Sequence, residues 1–500
     1  MVRYFIGIDV STTASKVIAV DELGRVAATH AHPHELSTPR PLWAEQDPRE
    51  WWHATQTALQ AVLETISASD VMGIGLTGQM HGLVALDDSG EPVRPAILWN
   101  DGRSYAECDE ITELIGADRL HELIGTRLFP GFTAPKLVWL RKHEPDVYDQ
   151  IRHILLPKDY IRYRLSGAFV TDVADGSGIS LMDNYRRDWS SEMLNATEIP
   201  FEWLPDLVES QTVASVVSET AAALTGLRAG TPIVGGAGDQ PAGGIGNGIV
   251  RPNQVSLTVG TSGVAYASSA RYSPELDGRL HTFCGPVPAT WFHMGVMLSA
   301  AGGMRWFSDE IAQGMSIETI NQAVANVPTG SRGLLFAPYL SGERNPHPDP
   351  LARGAFVGLT IRHGLPEMAR AVMEGVSFGM RDLLDLLRDL GLNPTEAVVS
   401  GGAAKSVIWR QMLTDIMGIP LYTVNTTEGG AFGAAILAAV GVGAFPDASS
   451  AVEAMIRRVD QTDPIPHQVQ AYEEVYTLYK TLYPTLQDTF SKLAQLEQKS

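Results

Sequence analysis

Two distant stretches of the chain share one pattern, in which an apolar run gives way to a short polar turn of Gly, Ser and Thr and then to a second apolar run. Residues 4–8, 9–15 and 16–20 form the first copy, and residues 254–259, 260–263 and 264–267 form the second. The repeat predicts a β-hairpin in each half of the molecule, with turns that present backbone N–H groups. Asp47-Pro48-Arg49-Glu50 opens a helix expected to run to about residue 68. Asp47 is placed as its cap, Pro48 stands at the first helical position, and Glu50 completes a capping-box-like arrangement. Strands are expected at 71–76 and 83–86, flanking the polar segment Thr77-Gly78-Gln79-Met80-His81-Gly82 and ending in an Asp88-Ser89-Gly90 turn. A strand over 232–236 feeds the Gly-rich run 235–244, where Pro241 favours a new helix. A strand over 397–400 leads through Gly401 and Gly402 to a helix over 405–417. Near the end, Tyr472, Val475, Tyr476, Tyr479, Leu482 and Tyr483 recur at the spacing of one helical face.

Strands alternate with helices throughout, the pattern of α/β layers on mixed sheets. A chain of 500 residues exceeds the size at which one hydrophobic core keeps growing, so two domains are expected, residues 1–245 and 246–500, with the cleft between them as the ligand site. The formal charge of −20 is spread along the chain, which argues against nucleic acid or an anionic membrane as partner. The two cysteines, Cys108 and Cys284, are far apart and outside any CxxC spacing. They suggest neither a disulfide framework nor zinc, and fit a reducing, cytoplasmic location. The N-terminus has no apolar stretch followed by a small-residue cleavage site, so no export signal is expected. The uncharged segment 429–445 is shorter than the roughly 20 apolar residues of a membrane helix and is mostly Gly and Ala, the composition of a closely packed soluble helix.

The polar turns around Asp9, Gly260 and Gly401 all follow strands. Gly lets backbone N–H groups approach oxygens, and hydroxyls add donors, so three such turns suit one polyphosphate gripped from two sides. Each also has a plain reading as an ordinary hairpin or strand-to-helix turn.

Two long patterns, GFTAPKLVWLRKH at 131–143 and GAFVGLTIRHGLPEMARAVME at 354–374, resemble the signatures of the FGGY family of carbohydrate kinases, and the likeness extends over nearly the whole length. Shorter pieces are similar to the bacterial branch that phosphorylates D-xylulose: PLWAEQDPREWW, GQMHG, ILWNDGR, LLPKDYIRYRLSG and PYLSGERNPH. The resemblance implies two actin-like (ribonuclease H-like) ATPase domains that close over ATP, Mg²⁺ and a small sugar. Asp239 falls at the family's catalytic base, with a helix cap as its rival reading. Asp9 falls at a carboxylate that holds Mg²⁺ through water, with a turn-former as its rival. Thr12, Thr13, Gly260, Thr261 and Ser262 match the phosphate turns, and Gly401 and Gly402 match the adenosine loop. Met80, His81, Asp239 and Gln240 match the sugar site, with a satisfied structural histidine as the other reading of His81. Trp99, Asp101 and Arg103 are assigned either to the same pocket or to surface pairing. Ser11 and Ala14 replace frequent glycines of the family, which bears on how closely the first turn approaches a phosphate. Ribulose, gluconate and glycerol stand as alternative substrates, and an actin-like ATPase without a sugar or a silent sugar sensor as alternative functions. A homodimer is one of the assemblies the sequence allows.

Overall fold

The computed structural model describes residues 2–275 and 277–497. Strands β1 (Tyr4–Val10), β2 (Ala14–Asp21) and β3 (Val26–Pro33) form an antiparallel meander, and β4 (Val71–Gly78) runs parallel to β1. At the far edge β5 (Val213–Val216) pairs antiparallel with β6 (Pro232–Val234), which joins β4 in parallel. The sheet order is β5-β6-β4-β1-β2-β3.

The second half repeats this plan. Strands β7 (Val255–Val259), β8 (Gly263–Ser269), β9 (His281–Cys284), β10 (Trp291–Met297), β11 (Ala397–Ser400), β12 (Leu421–Val424) and β13 (Arg458–Thr462) lie in the order β9-β10-β8-β7-β11-β12-β13. β3-β2-β1-β4-β6 and β10-β8-β7-β11-β12 therefore share one topology, an antiparallel meander followed by two parallel strands. The duplicated hairpins of the sequence are its β1-β2 and β7-β8 corners.

Helix α1 (Pro48–Leu63) packs Trp51, Ala58, Leu59 and Val62 on the first sheet. α2 (Asp239–Gly246) follows β6, and α3 (Leu365–Asp389) and α4 (Val407–Met417) cover the second sheet. α5 (Gly429–Gly441) leaves the second sheet and packs on β1, β4 and α2 of the first half, so the two halves interlock. α6 (Pro466–Tyr479) buries Tyr472, Tyr476 and Tyr479 in a separate aromatic cluster.

The interlock depends on missing side chains. A Cβ at Gly433 would lie 1.8 Å from the Ala242 carbonyl oxygen, and Cβ atoms at Gly7 and Gly75 would lie 1.9 Å from the carbonyl oxygens of Ala431 and Ala434. Since both contacting groups are backbone, no rotamer change relieves the clash. Gly433→Ala is expected to destabilise the protein by roughly 3 kcal/mol or more, the upper range for overpacking, read as a fall in Tm.

Several boundaries differ from the sequence reading. β1 continues to Val10, so Asp9 sits within the strand, opposite Lys16 on β2 and Thr77 on β4, and the turn is confined to residues 11–13. α1 ends at Leu63, ahead of a separate turn of 3₁₀ helix at Ala68–Asp70. Asp47 caps α1 by accepting from the Arg49 N–H at 3.0 Å, but its second partner is the Arg49 guanidinium in place of a reciprocal Glu50 bond. The helix after Gly401 starts at Gly402 and breaks at Ser406, whose hydroxyl caps α4 by accepting from the Trp409 N–H. No helix among the described residues is long and apolar enough to cross a membrane.

Candidate active site

Asp239 is the first residue of α2, reached through the glycine run that leaves β6. Gly236 has φ +72°, and a Cβ there would lie 2.1 Å from the Leu76 carbonyl oxygen, so the run needs glycine to pass β4. The run is also held from behind by ions. Arg162 donates to the carbonyls of Val234, at 3.1 Å, and Gly235, and forms a buried pair with Asp159. Lys158 joins Asp159 at 2.6 Å and Asp172 at 2.9 Å, every one of these side chains fully buried. Asp175 lies behind Gly238, where an added Cβ would come within 2.8 Å of Asp175 Oδ1 and 2.5 Å of Met80 Cγ. The sequence reading contained none of this network. LLPKDYIRYRLSG carried its lysine, aspartate and arginine in plain sight, but only the fold points them at the loop.

Asp9 and Asp239 face a common space. A Cβ on Gly430, in the first turn of α5, would stand 3.6 Å from both Asp9 Oδ2 and the Asp239 carbonyl oxygen, and 3.4 Å from Thr77 Cγ2. Burial pushes Asp9 up to about 6, an effect lowered by Lys16 and reinforced by Glu428. Burial, then the charge of Asp9, pushes Asp239 up to about 7, against the amides of Gln240, which favour its ionised form. Asp9 Oδ1 is buried without any hydrogen-bond partner. A cavity of about 650 Å³ opens from this space and joins both halves: Asp239, Gln240 and Asn247 from α2 and its end, and Thr258, Gly401, Gly402 and Lys405 from the second sheet.

Gly260 and Gly401 meet at the cavity's edge. Gly401 has φ +89°, and a Cβ there would lie 2.5 Å from Val259 O and 2.9 Å from Gly260 N. The Gly260 and Thr261 carbonyls accept from Ala301 N at 2.7 Å and Ala300 N at 2.9 Å, which fixes the second turn. Thr261 is exposed and Ser262 partly so, and neither they nor Gly260 line the cavity itself.

The first turn is held differently. Ser11 closes it with its own hydroxyl, which donates to Ala14 O at 2.9 Å, and its φ is not positive, so glycine is not required there. Thr12 sits in a network the sequence reading missed: its hydroxyl donates to Gln79 Oε1 at 3.2 Å and accepts from Trp99 Nε1 at 3.0 Å, while Gln46 Nε2 donates to its carbonyl at 2.7 Å. Gln79 sat inside the recognised GQMHG segment, and Gln46 just before the Asp47 cap. Thr13 is exposed.

Met80 is buried beside Gly238, next to Asp239. His81, at φ +67°, donates from Nδ1 to Gly178 O at 3.0 Å, and its ring lies on Phe132 with centroids 4.4 Å apart. Burial lowers its pKa to about 3, so the ring is neutral and keeps Nε2 as an acceptor. Asp101 and Arg103 belong neither to a pocket nor to a surface pair. They form a buried bridge at 2.8 Å, extended to Glu45 at 2.7 Å, with the guanidinium 3.6 Å from the centre of the Trp43 ring. The aspartate and arginine of ILWNDGR are explained by the need to satisfy a buried ion pair.

The sequence model of the FGGY family of carbohydrate kinases, N-terminal domain, matches residues 4–246, and that of its C-terminal domain matches residues 255–442. The chain is 41% identical over 437 residues to the xylulose kinase of Escherichia coli (strain K12), covering 87% of this chain and 90% of the relative. Its structure is similar to the crystal structure of xylulose kinase from Rhodospirillum rubrum (TM-score 0.92, 30% identity, 98% of this chain and 100% of the other). It is also similar to that of gluconate kinase from Lactobacillus acidophilus (TM-score 0.94, 27% identity, 99% and 100%). With both halves matched, and a full-length relative well above 30% identity, this chain belongs to the FGGY family of carbohydrate kinases and is a sugar kinase.

Proposed function

We propose that this kinase transfers the terminal phosphate of MgATP to the 5-hydroxyl of D-xylulose, with Asp239 as the base. The observation that carries the reading is the placement of Asp239, a carboxylate pushed up to about 7, on a cavity walled by both halves. Phosphoryl transfer to an alcohol needs the hydroxyl held in line and its proton accepted, while most of the barrier is lowered by positioning and charge neutralisation. A base poised near neutrality suits that task. In this reading Met80, His81 and Gln240 hold the sugar, and neutral His81 accepts from a sugar hydroxyl through Nε2. Gly401 and Gly402 pack against the adenosine, and the turns at Thr12, Thr13, Gly260, Thr261 and Ser262 face the phosphates.

Asp9 suits Mg²⁺. Its Oδ1 is buried and unpartnered, and no cluster of three or more metal-ligating side chains occurs among the described residues. A single carboxylate fits an ion that keeps most of its waters and takes its other ligands from phosphate oxygens. When bound, the ion neutralises charge on the transferring phosphate. Register pairing with Lys16 on β2 and Thr77 on β4 fixes the backbone of Asp9 within the sheet. D-xylulose is supported as substrate by the 41% identical relative and by the GQMHG and PYLSGERNPH segments.

The reading is tested by coupled assay of ADP release with D-xylulose, D-ribulose, D-gluconate and glycerol. D-xylulose is expected to give the highest kcat/KM, with negligible release when no sugar is present. A higher value for gluconate overturns the substrate, and equal release without sugar overturns the transfer.

Asp239 also sets a pH dependence. The base acts only when ionised, so kcat/KM is expected to rise about tenfold per pH unit below the midpoint near 7 and to level off above it. For stability the sign is the reverse. A carboxyl raised from 3.8 to about 7 on folding contributes stability that is fully present below pH 3.8 and is lost as pH rises through about 7.

A further inference from the structure

A second cavity, of about 510 Å³, lies between the two halves, and none of Met80, His81, Asp239 or Gln240 lines it. Its walls come from residues 105–130 of the first half and 298–350 of the second. Two arginines, one from each half, line it. Arg344 has its guanidinium 5.4 Å from the centre of the Phe129 ring, and Arg127 donates to the Asp277 carbonyl at 2.6 Å. Neither has a carboxylate at ion-pair distance among the described residues, and Arg127 Nε is buried without a partner. Two carboxylates, Asp109 and Glu343, line the same cavity, but no ion pair joins either to Arg127 or Arg344 among the described residues. His121, 8% exposed, adds a ring whose buried Nδ1 has no partner. Glu343 also lines the cavity; burial pushes it up to about 8, against the charge of Arg344 and the N–H groups of Leu298 and Arg344, from which its carboxyl accepts at 2.8 Å.

We propose that this cavity is a binding site for a small phosphate monoester, held by Arg127 and Arg344 and by His121. A planar guanidinium presents paired N–H donors that match phosphate oxygens, and two of them lining one cavity favour a dianion over a single carboxylate. Leu128, Phe129 and Pro130 supply an apolar wall for the carbon body, and the volume is that of ordinary small-molecule sites. Because Arg127 and Arg344 come from different halves, the occupant ties the two together in the arrangement seen here. The site does not depend on the role given to Asp239.

The test is isothermal titration of D-ribose 5-phosphate and of inorganic phosphate into the full chain, with D-xylulose and a non-hydrolysable ATP analogue saturating the first cavity. One equivalent of D-ribose 5-phosphate is expected to bind, and Arg127→Gln and Arg344→Gln are each expected to weaken it at least about tenfold, the loss of a charge-assisted contact. Ala117→Trp, on the exposed rim of the cavity, is expected to block entry without touching a buried charge and keeps the test valid where an arginine variant fails to fold. Tighter binding of the ester than of phosphate assigns a sugar phosphate as the source, and equal binding assigns free phosphate. Absence of heat at millimolar concentration with both probes overturns the site. So does unchanged affinity in Arg127→Gln, Arg344→Gln and Ala117→Trp, loss of binding in Asp239→Asn, or competition by D-xylulose for the same equivalent.

Discussion

Asp239→Asn is expected to yield a folded protein whose MgATP-dependent phosphorylation of D-xylulose falls by roughly 10²–10⁴-fold, the usual contribution of a positioned general base. The loss should fall on kcat, because the amide keeps the shape and the first-turn position of the carboxyl while losing its ability to take a proton. The folded state should not suffer. The native carboxyl is held far above its value of 3.8 mainly by burial, so its ionised form destabilises the fold near neutral pH, and removing it should raise Tm at about pH 8 relative to the native chain. Asn caps a helix as well as Asp, so a folded, nearly inactive variant assigns the lost function to the carboxylate's proton chemistry and not to capping. Near-native kcat with D-xylulose would remove Asp239 from the chemistry.

Asp9→Asn has the second largest expected effect. If its unpartnered Oδ1 faces the waters of the ion, turnover at saturating Mg²⁺ should drop by roughly 10–100-fold, the scale seen when a group that orients metal-bound ligands is lost, and the Mg²⁺ concentration for half-maximal rate should rise. There is an independent readout. The Asp9 charge is the second cause, after burial, of the raised pKa of Asp239, so its removal should move the midpoint of the kcat/KM profile below 7. An unshifted profile together with unchanged Mg²⁺ dependence contradicts the assignment.

Much of this architecture was legible in the chain. The paired strand-turn-strand patterns marked the β1-β2 and β7-β8 corners, because apolar runs broken by Gly, Ser and Thr have few other solutions. Glycine runs at 235–238 and 401–402 marked two loops that reach the cavity, where the positive φ of Gly236 and Gly401 explains the residue type. Element ends were less legible. Asp9 was placed in a turn because a charged residue after an apolar run reads as a terminus, whereas pairing with Lys16 on one side and Thr77 on the other keeps it in the sheet.

What the sequence could not show is long-range. Asp101 and Arg103 read as pocket lining or a surface pair until Glu45 and Trp43 are brought to them from an earlier segment. Lys158 and Arg162 entered only as letters of a family-like segment, and only the closed fold delivers Asp172 and the Gly235 carbonyl to them. The Gly and Ala content of α5 announced close packing, but not that the helix crosses from the second half to lie on the first sheet.

The central claim is that the Asp239 carboxylate meets the hydroxyl that attacks the nucleotide. A crystal structure with D-xylulose and a non-hydrolysable ATP analogue tests it most directly. The account predicts the sugar's 5-oxygen within about 2.6–3.2 Å of an Asp239 carboxylate oxygen, in line with the terminal phosphorus of a nucleotide lying over Gly401 and Gly402. A sugar bound with that hydroxyl turned away from Asp239, or a nucleotide seated elsewhere than the cavity shared by the two halves, would contradict it.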